Sequence, residues 1–237
     1  MADRNVSLLA SDLFALGGSF VAQSSTKNDT AEYAAMLAAN GDWIKWSELF
    51  NNLYSITTVY KWNAIVGLGA ALPNVGDVKN GYLITELGIA TNYKDWPTIT
   101  VTGHQHFANT HVDPLPQYAV PADIIAVTTG QFGGYDFLSA IGTVTTAEDI
   151  CVTDSTYTLG MNHIDAECSG GEHWVGTNVQ GKETVNENFI GRITLPASLT
   201  VAWLGAAGWY ATTATNDDSN TDFNKSNITA ERIVARV

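Results

Sequence analysis

The chain has 237 residues, with 11 Lys and Arg against 24 Asp and Glu, for a formal net charge of −13. Apolar residues make up 45% and charged residues 15%, a balance that buries a core and excludes a disordered, charge-rich chain. The excess negative charge repels phosphate and excludes nucleic acid as a direct partner.

From the N-terminus, Val6, Leu9, Leu13 and Leu16 recur at helical spacing before Gly17 and Gly18, predicting a short amphipathic helix that docks on the chain's own core or on a neighbouring subunit. Asp3 and Asp12 break the pattern of a secretory leader. The longest apolar runs, residues 64–72 and 201–211, fall short of the roughly 18 residues that span a bilayer. Residues 31–40, AEYAAMLAAN, read as a helix, with Asp29 or Thr30 as cap and Gly41 as stop. The next segment, DWIKWSELFNNLYS, puts Trp43, Trp46, Phe50 and Leu53 on one helical face.

Beyond it the chain is β-like. Residues 57–62, 82–87, 98–102, 124–129, 156–161, 174–179, 189–195 and 199–204 are short runs rich in β-branched and aromatic residues, divided by Gly, Pro, Asn and Asp. Asn80-Gly81 predicts a type I′ hairpin. The polar run 216–220 reads as a loop, and ITAERIVARV as a final strand. Many short strands separated by turn chemistry predict a sandwich, jelly roll or barrel rather than alternating βα units.

Candidate chemistry is sparse. In GHQHFANTHVD, a strand over residues 100–106 would turn His104 and His106 to one face, and with His111 they form a candidate cation site. This resembles a cupin only in its HxH core; Thr98 stands where that pattern has glycine, and its later glutamate is missing at Thr110 and His111. In NHIDAECSGGEH, His163, Asp165 and Glu167 alternate, and a hairpin at Gly170-Gly171 would bring Glu172 and His173 towards them. GTNVQGKE, residues 176–183, nearly spells a phosphate-binding loop. Glu183 replaces its Mg²⁺-holding hydroxyl and no helix follows, so the segment reads as a β-turn. The acidic pairs Glu148-Asp149 and Asp217-Asp218 read as solvated loop tips. Cys151 and Cys168 either pair across 17 residues in an oxidising compartment or remain thiols. Trp43, Trp46 and Trp62 fit a core or an interface better than an exposed sugar platform.

The acidity has a pattern. Asp outnumbers Glu by 15 to 9, Lys numbers seven, and no Lys or Arg occurs between Lys94 and Lys182, a stretch with ten acids. Such a surface repels itself in dilute buffer but is tolerable in molar salt, where the Debye length is about 3 Å. From Phe223 onward the balance reverses, with Lys225, Arg232 and Arg236 against Glu231, a local +2 suited to acidic neighbours or lipid headgroups.

Taken together, the size, the acidity, the N-terminal NVSLLASDLFAL, the short β-runs and the terminal ERIVARV strand resemble the larger major capsid protein of haloarchaeal icosahedral viruses with an internal membrane. The resemblance implies an all-β fold, an upright single jelly-roll β-barrel with an added β tower and a short N-terminal helical region. It implies a base formed by residues 1–94 and 182–237, with 95–181 as the outward tower. It also implies a structural subunit of the virion, not an enzyme, with no cofactor. Its partners would be further copies and a smaller jelly-roll protein in pseudo-hexameric capsomers, with penton or membrane-associated proteins and a lipid vesicle beneath. Two alternatives have other chemistry: a metal-dependent cupin-like enzyme using His104, His106 and His111, and a carbohydrate-binding β-module.

Overall fold

In the computed structural model the described residues are 13–14, 16, 20–32, 35–41, 43–46, 50–62, 72–92, 94–106, 111–112, 117–127, 137–140, 150–167, 173–191, 208–217 and 223–234. They form twelve strands: β1 (Phe20–Glu32), β2 (Ala35–Leu37), β3 (Trp43–Trp46), β4 (Phe50–Trp62), β5 (Val78–Lys79), β6 (Tyr82–Asn92), β7 (Asp95–His106), β8 (His111–Val112), β9 (Ile150–Glu167), β10 (His173–Gly191), β11 (Tyr210–Asp217) and β12 (Asn224–Val234). Two short helices, α1 (Ala122–Val127) and α2 (Phe137–Ala140), complete them. The protein is all-β, dominated by one ten-stranded sheet in the order β1-β4-β7-β6-β9-β10-β12-β11, with β5 beside β6 and β8 beside β10.

The sheet is two-sided because its strands alternate. Along β10, Gly181, Glu183, Val185, Glu187 and Phe189 are buried, while the residues between them are partly or fully exposed. The buried side joins Tyr60 of β4, Val101 of β7, Leu87 of β6, Tyr157 of β9, Val185 of β10 and Ile228 of β12 into one cluster. Phe14, Leu16, Val75, Tyr118, Ile124 and Phe137, from outside the sheet, belong to the same core. Val75 and Tyr118 are themselves tied by a two-bond bridge of 3.0 and 2.8 Å. The opposite side carries rows of short neutral polar groups beside ion pairs such as Lys61–Asp95 and Lys182–Glu231. Thr213, Thr229, Asn186 and Thr156 stand in register across β11, β12, β10 and β9, and Thr57 meets Thr102 hydroxyl to hydroxyl at 3.2 Å.

Several sequence expectations hold. The runs 57–62, 82–87, 98–102, 156–161 and 174–179 all lie in strands, as does the C-terminal ITAERIV. Asn80 and Gly81 both have left-handed φ values, 51° and 82°, between the paired residues Lys79 and Tyr82, as a type I′ turn requires. Leu13 packs against the core and Phe14 and Leu16 are buried in it; residues 1–12, where the predicted helix begins, and residue 15 lie outside the described residues.

The helical expectations at 31–40 and 43–53 fail. The predicted helix at 31–40 is instead the end of β1, then β2, then a turn closed by Gly41 N–H donating to the Ala38 carbonyl at 2.9 Å. The predicted helix through Trp43, Trp46, Phe50 and Leu53 is β3 and the start of β4; Met36 pairs with Lys45, and Leu53 pairs with both Thr30 and His106. Helix propensities differ by only tenths of a kcal/mol per residue, and the cross-strand partners outweigh them. The reverse error occurs at 124–129: Ala122–Val127 is helical, with Ile125 N–H bonded to the Pro121 carbonyl and Asp123 in the first turn. Residues 192–207, covering the run 199–204 and the end of 189–195, lie outside the described residues, as do 218–220 of the polar run; Asn216 and Asp217 end β11.

The boundary at residue 95 coincides with the start of β7, whereas the one at 181 falls inside β10. β7 lies between β4 and β6, and β9 pairs with β6 up to Gly160, so both are part of the main sheet. What extends past these pairings is the outer half of the β9–β10 hairpin, residues 161–167 and 173–180, accompanied only by the two-residue β8 among the described residues. At roughly 3.3 Å per residue the seven outer residues of β9 reach about 23 Å beyond the last pairing with β6.

Two glycines test this packing with opposite signs. A Cβ on Gly103 would stand 2.9 Å from the Phe14 ring and 3.1 Å from Tyr82 Cβ, whereas on Gly88 its nearest neighbour is 3.7 Å away. Gly103→Ala is therefore expected to lose about 1–3 kcal/mol through overpacking. Gly88→Ala is expected to be neutral or to gain about 0.4–1 kcal/mol by stiffening the unfolded chain. Denaturant midpoints of the two variants measure the difference.

Candidate functional site

The histidines predicted as a cation site fall on two strands. His104 and His106 belong to β7, where buried Val101 and Gly103 fix the alternation, so that His104 sits at a partly exposed position of the polar face and His106 shares its register parity. His111 opens β8 and pairs with Trp174 of β10; β6, β9 and β10 separate β7 from β8 in the strand order. The second cluster lies in the outer half of the β9–β10 hairpin. There His163 is opposite Thr177, Asp165 opposite Val175, and Glu167 opposite His173. The side chains of His106, His111, His163, Asp165, Glu167 and His173 lie outside the described residues, as do Glu148, Asp149, Glu172 and Asp218 entirely. Among the described residues no group of three His, Cys, Asp or Glu is placed to hold a metal ion. Cys151 is a free, exposed thiol near the start of β9, and Cys168 lies outside the described residues.

The segment 176–183 is not a turn. It is continuous strand in β10, with a register shift between Thr177 and Gly181 that accommodates the extra residues against β9. Gly181 is needed there: a Cβ would meet the Tyr118 ring at 3.0 Å, so the glycine lets Tyr118 close on the sheet.

One polar cluster is missed by motif reasoning and lies in the core. Glu183, fully buried, is directly opposite Arg232 in the β10–β12 register, and Arg232 Nε donates to Glu183 Oε2 at 2.6 Å. Tyr157, diagonal to it on β9, donates its hydroxyl to Glu183 Oε1 at 2.5 Å. Both are short, charge-assisted bonds. The Arg232 guanidinium lies over the Trp209 ring at 4.7 Å, so the base is held on two sides. Burial, followed by the Glu183 charge and the hydrogen bond to it, pushes the Tyr157 phenol above its usual range. One turn of alternation further, buried Glu187 accepts the N–H groups of Phe137 at 2.5 Å and Leu138 at 3.1 Å, fixing the start of α2 on the sheet.

A buried carboxylate, phenol and guanidinium can in principle do acid–base work, but catalysis needs a substrate within reach. Glu183 has no exposed side-chain surface and Tyr157 none at all, so this cluster holds strands together. It also changes the reading of the basic C-terminal segment. Arg232, one of that segment's three cations, pairs inside its own chain, while Lys182 of β10 takes up the segment's Glu231 at 2.7 Å.

Removing one partner leaves a charge buried, so Arg232→Met is expected to cost about 3–5 kcal/mol, and the double variant with Glu183→Leu to recover most of that loss. Tyr157→Phe removes a hydrogen bond to a charged acceptor, worth about 1.5–3 kcal/mol at neutral pH. Since the folded phenol holds its proton past the unfolded value of about 10, its contribution is complete below that pH and falls as the pH rises above it. The stability gap between wild type and Tyr157→Phe should therefore narrow above pH 10, as urea titrations at a series of pH values would register. A gap constant into the alkaline range would contradict the assigned phenol.

Compared with known protein families and with curated proteins, the chain finds no match, so its function is argued from the chemistry of its own residues.

Proposed function

We propose that this chain is a structural subunit of a viral shell, the larger major capsid protein of an icosahedral virus of a halophilic host, built as an upright single jelly roll. The observation that carries the reading is the outer half of the β9–β10 hairpin, which runs on past its pairings with β6 and β12 within the stretch that has no Lys or Arg. In the shell this hairpin points outward into brine as the tower, and the sheet forms the base.

Three further features support it. The apolar face of the sheet is closed by the chain's own segments, so the subunit is stable before it assembles. The other face carries, between its charged pairs, rows of neutral hydroxyl and amide groups whose contacts do not depend on ionic strength. Both end strands of the sheet, β1 and β11, pair on one side only among the described residues, which gives a neighbour a backbone edge to meet. In this role the chain associates with its own copies and with a smaller jelly-roll partner in pseudo-hexameric capsomers above a lipid vesicle. It contacts no nucleic acid, and its work is assembly, not catalysis.

The measurement is particle mass by sedimentation, with electron microscopy of the same samples, in about 3 M and about 0.1 M KCl, concentrations on either side of the screening range. The expected result is a multi-subunit assembly with pseudo-hexagonal order at high salt that comes apart at low salt. A monodisperse monomer in molar salt, with no copurifying partner, would overturn the proposal.

A further inference from the structure

At one end of the polar face, between β9, β10, β12 and β11, lies a cavity of about 320 Å³. Its wall includes a cross-strand row fixed by register, Thr215 opposite Asn227 and Asn227 opposite Asn188, which Asp154, opposite Asn188, continues beyond the lining. The row is wired together. Asn227 Nδ2 donates to Asn188 Oδ1 at 2.8 Å and to Asn186 Oδ1 at 3.0 Å, and Asn188 Nδ2 donates to Asp154 Oδ1 at 2.5 Å. Thr153 Oγ1 bonds both Asp154 Oδ2 and the Asn188 carbonyl at 3.1 Å. These amides are held in one orientation before any ligand arrives, so the ordering cost is already met by the fold.

From this geometry we infer a binding site for a single neutral sugar ring. The size is at the lower end of ligand pockets, roughly 300–1,000 Å³, which suits one ring and not a longer chain. Amides and hydroxyls both donate and accept, as vicinal sugar hydroxyls do. Asn188 has a second N–H beyond the one given to Asp154, and Thr215 brings a hydroxyl to the opening. Ile190, between these polar groups, offers an apolar patch for the C–H side of a ring. Charge favours neither anion nor cation, because the two charged lining residues, Asp217 and Lys225, are opposite each other and cancel.

The test is saturation-transfer NMR on the full chain with D-glucose, D-galactose, D-mannose and N-acetyl-D-glucosamine in turn, with inorganic phosphate and Ca²⁺ titrated separately. Transfer to at least one sugar is expected, with weak, millimolar binding. Asn188→Ala should reduce affinity about tenfold, the effect of one hydrogen bond to ligand. Thr215→Trp, at an exposed position that leaves the amide row intact, should abolish binding by filling the opening, and Thr100→Ala, elsewhere on the polar face, should not alter it. No transfer to any of the four sugars, binding of phosphate or Ca²⁺ alone, or sugar binding unchanged in Thr215→Trp would each overturn the inference.

Discussion

The register between β10 and its two neighbours is the constraint on which the rest of the molecule depends. A slip of one residue would turn Glu183, Val185, Glu187 and Phe189 to the polar face and bring their neighbours into the core. Hydrophobic alternation alone penalises that slip, but it does so with side chains that tolerate rearrangement. Glu183 adds a sharper condition, because its charge is buried only where Arg232 on one strand and Tyr157 on the other are both within hydrogen-bond reach. A buried ion pair adds little net stability over apolar residues of the same volume. Its effect here is selective: every wrong pairing leaves a charge without a partner in the core.

The same strand positions what covers the sheet. Glu187 holds the first N–H groups of α2, Gly181 admits the Tyr118 ring, and Tyr118 brings Val75 with it through their backbone bridge. Three distant segments are thus docked through two inward-facing positions of β10, Gly181 and Glu187, Val75 being carried in by Tyr118. The bulge before Gly181 ends the part of β10 that follows the main sheet, and the outer half of the hairpin begins there. The first basic residue after the long acidic stretch, Lys182, stands at this junction and pairs with Glu231 on β12.

Much of this was legible in the sequence and some was not, for physical reasons. The strands with clear alternation, the Asn80-Gly81 turn and the C-terminal strand depend on local signals, and local signals were sufficient. Residues 31–40 failed because alanine favours a helix only weakly, while the partner that makes Ala35–Leu37 a strand comes after the turn at Gly41. Pro121 and Asp123 were a helix start concealed by the β-branched isoleucines that follow. Glu183 was noticed only as the residue that spoils a phosphate loop. Its partner lies 49 residues away, and no spacing rule connects them without the strand order. The amide row of Asn188, Asn227 and Asp154 is hidden for the same reason, since each residue alone reads as an ordinary polar strand position.

If the chain assembles as proposed, salt decides which groups can carry the contacts between copies. In molar salt the Debye length is about 3 Å, so complementary charges on facing surfaces attract only at contact. Contacts between copies would then rest on groups that salt does not screen: backbone edges, hydroxyls, amides and apolar side chains. The described surface is rich in these, with threonines and asparagines across the polar face and Val21, Tyr210 and Ile233 exposed on β1, β11 and β12, at or next to the two sheet edges. The acidic surplus has the complementary effect. At low ionic strength its repulsion extends about 10 Å at 0.1 M and opposes association over distances where hydroxyl and apolar contacts do not act. Salt would thus control assembly by removing a long-range repulsion, leaving short-range contacts that were present throughout.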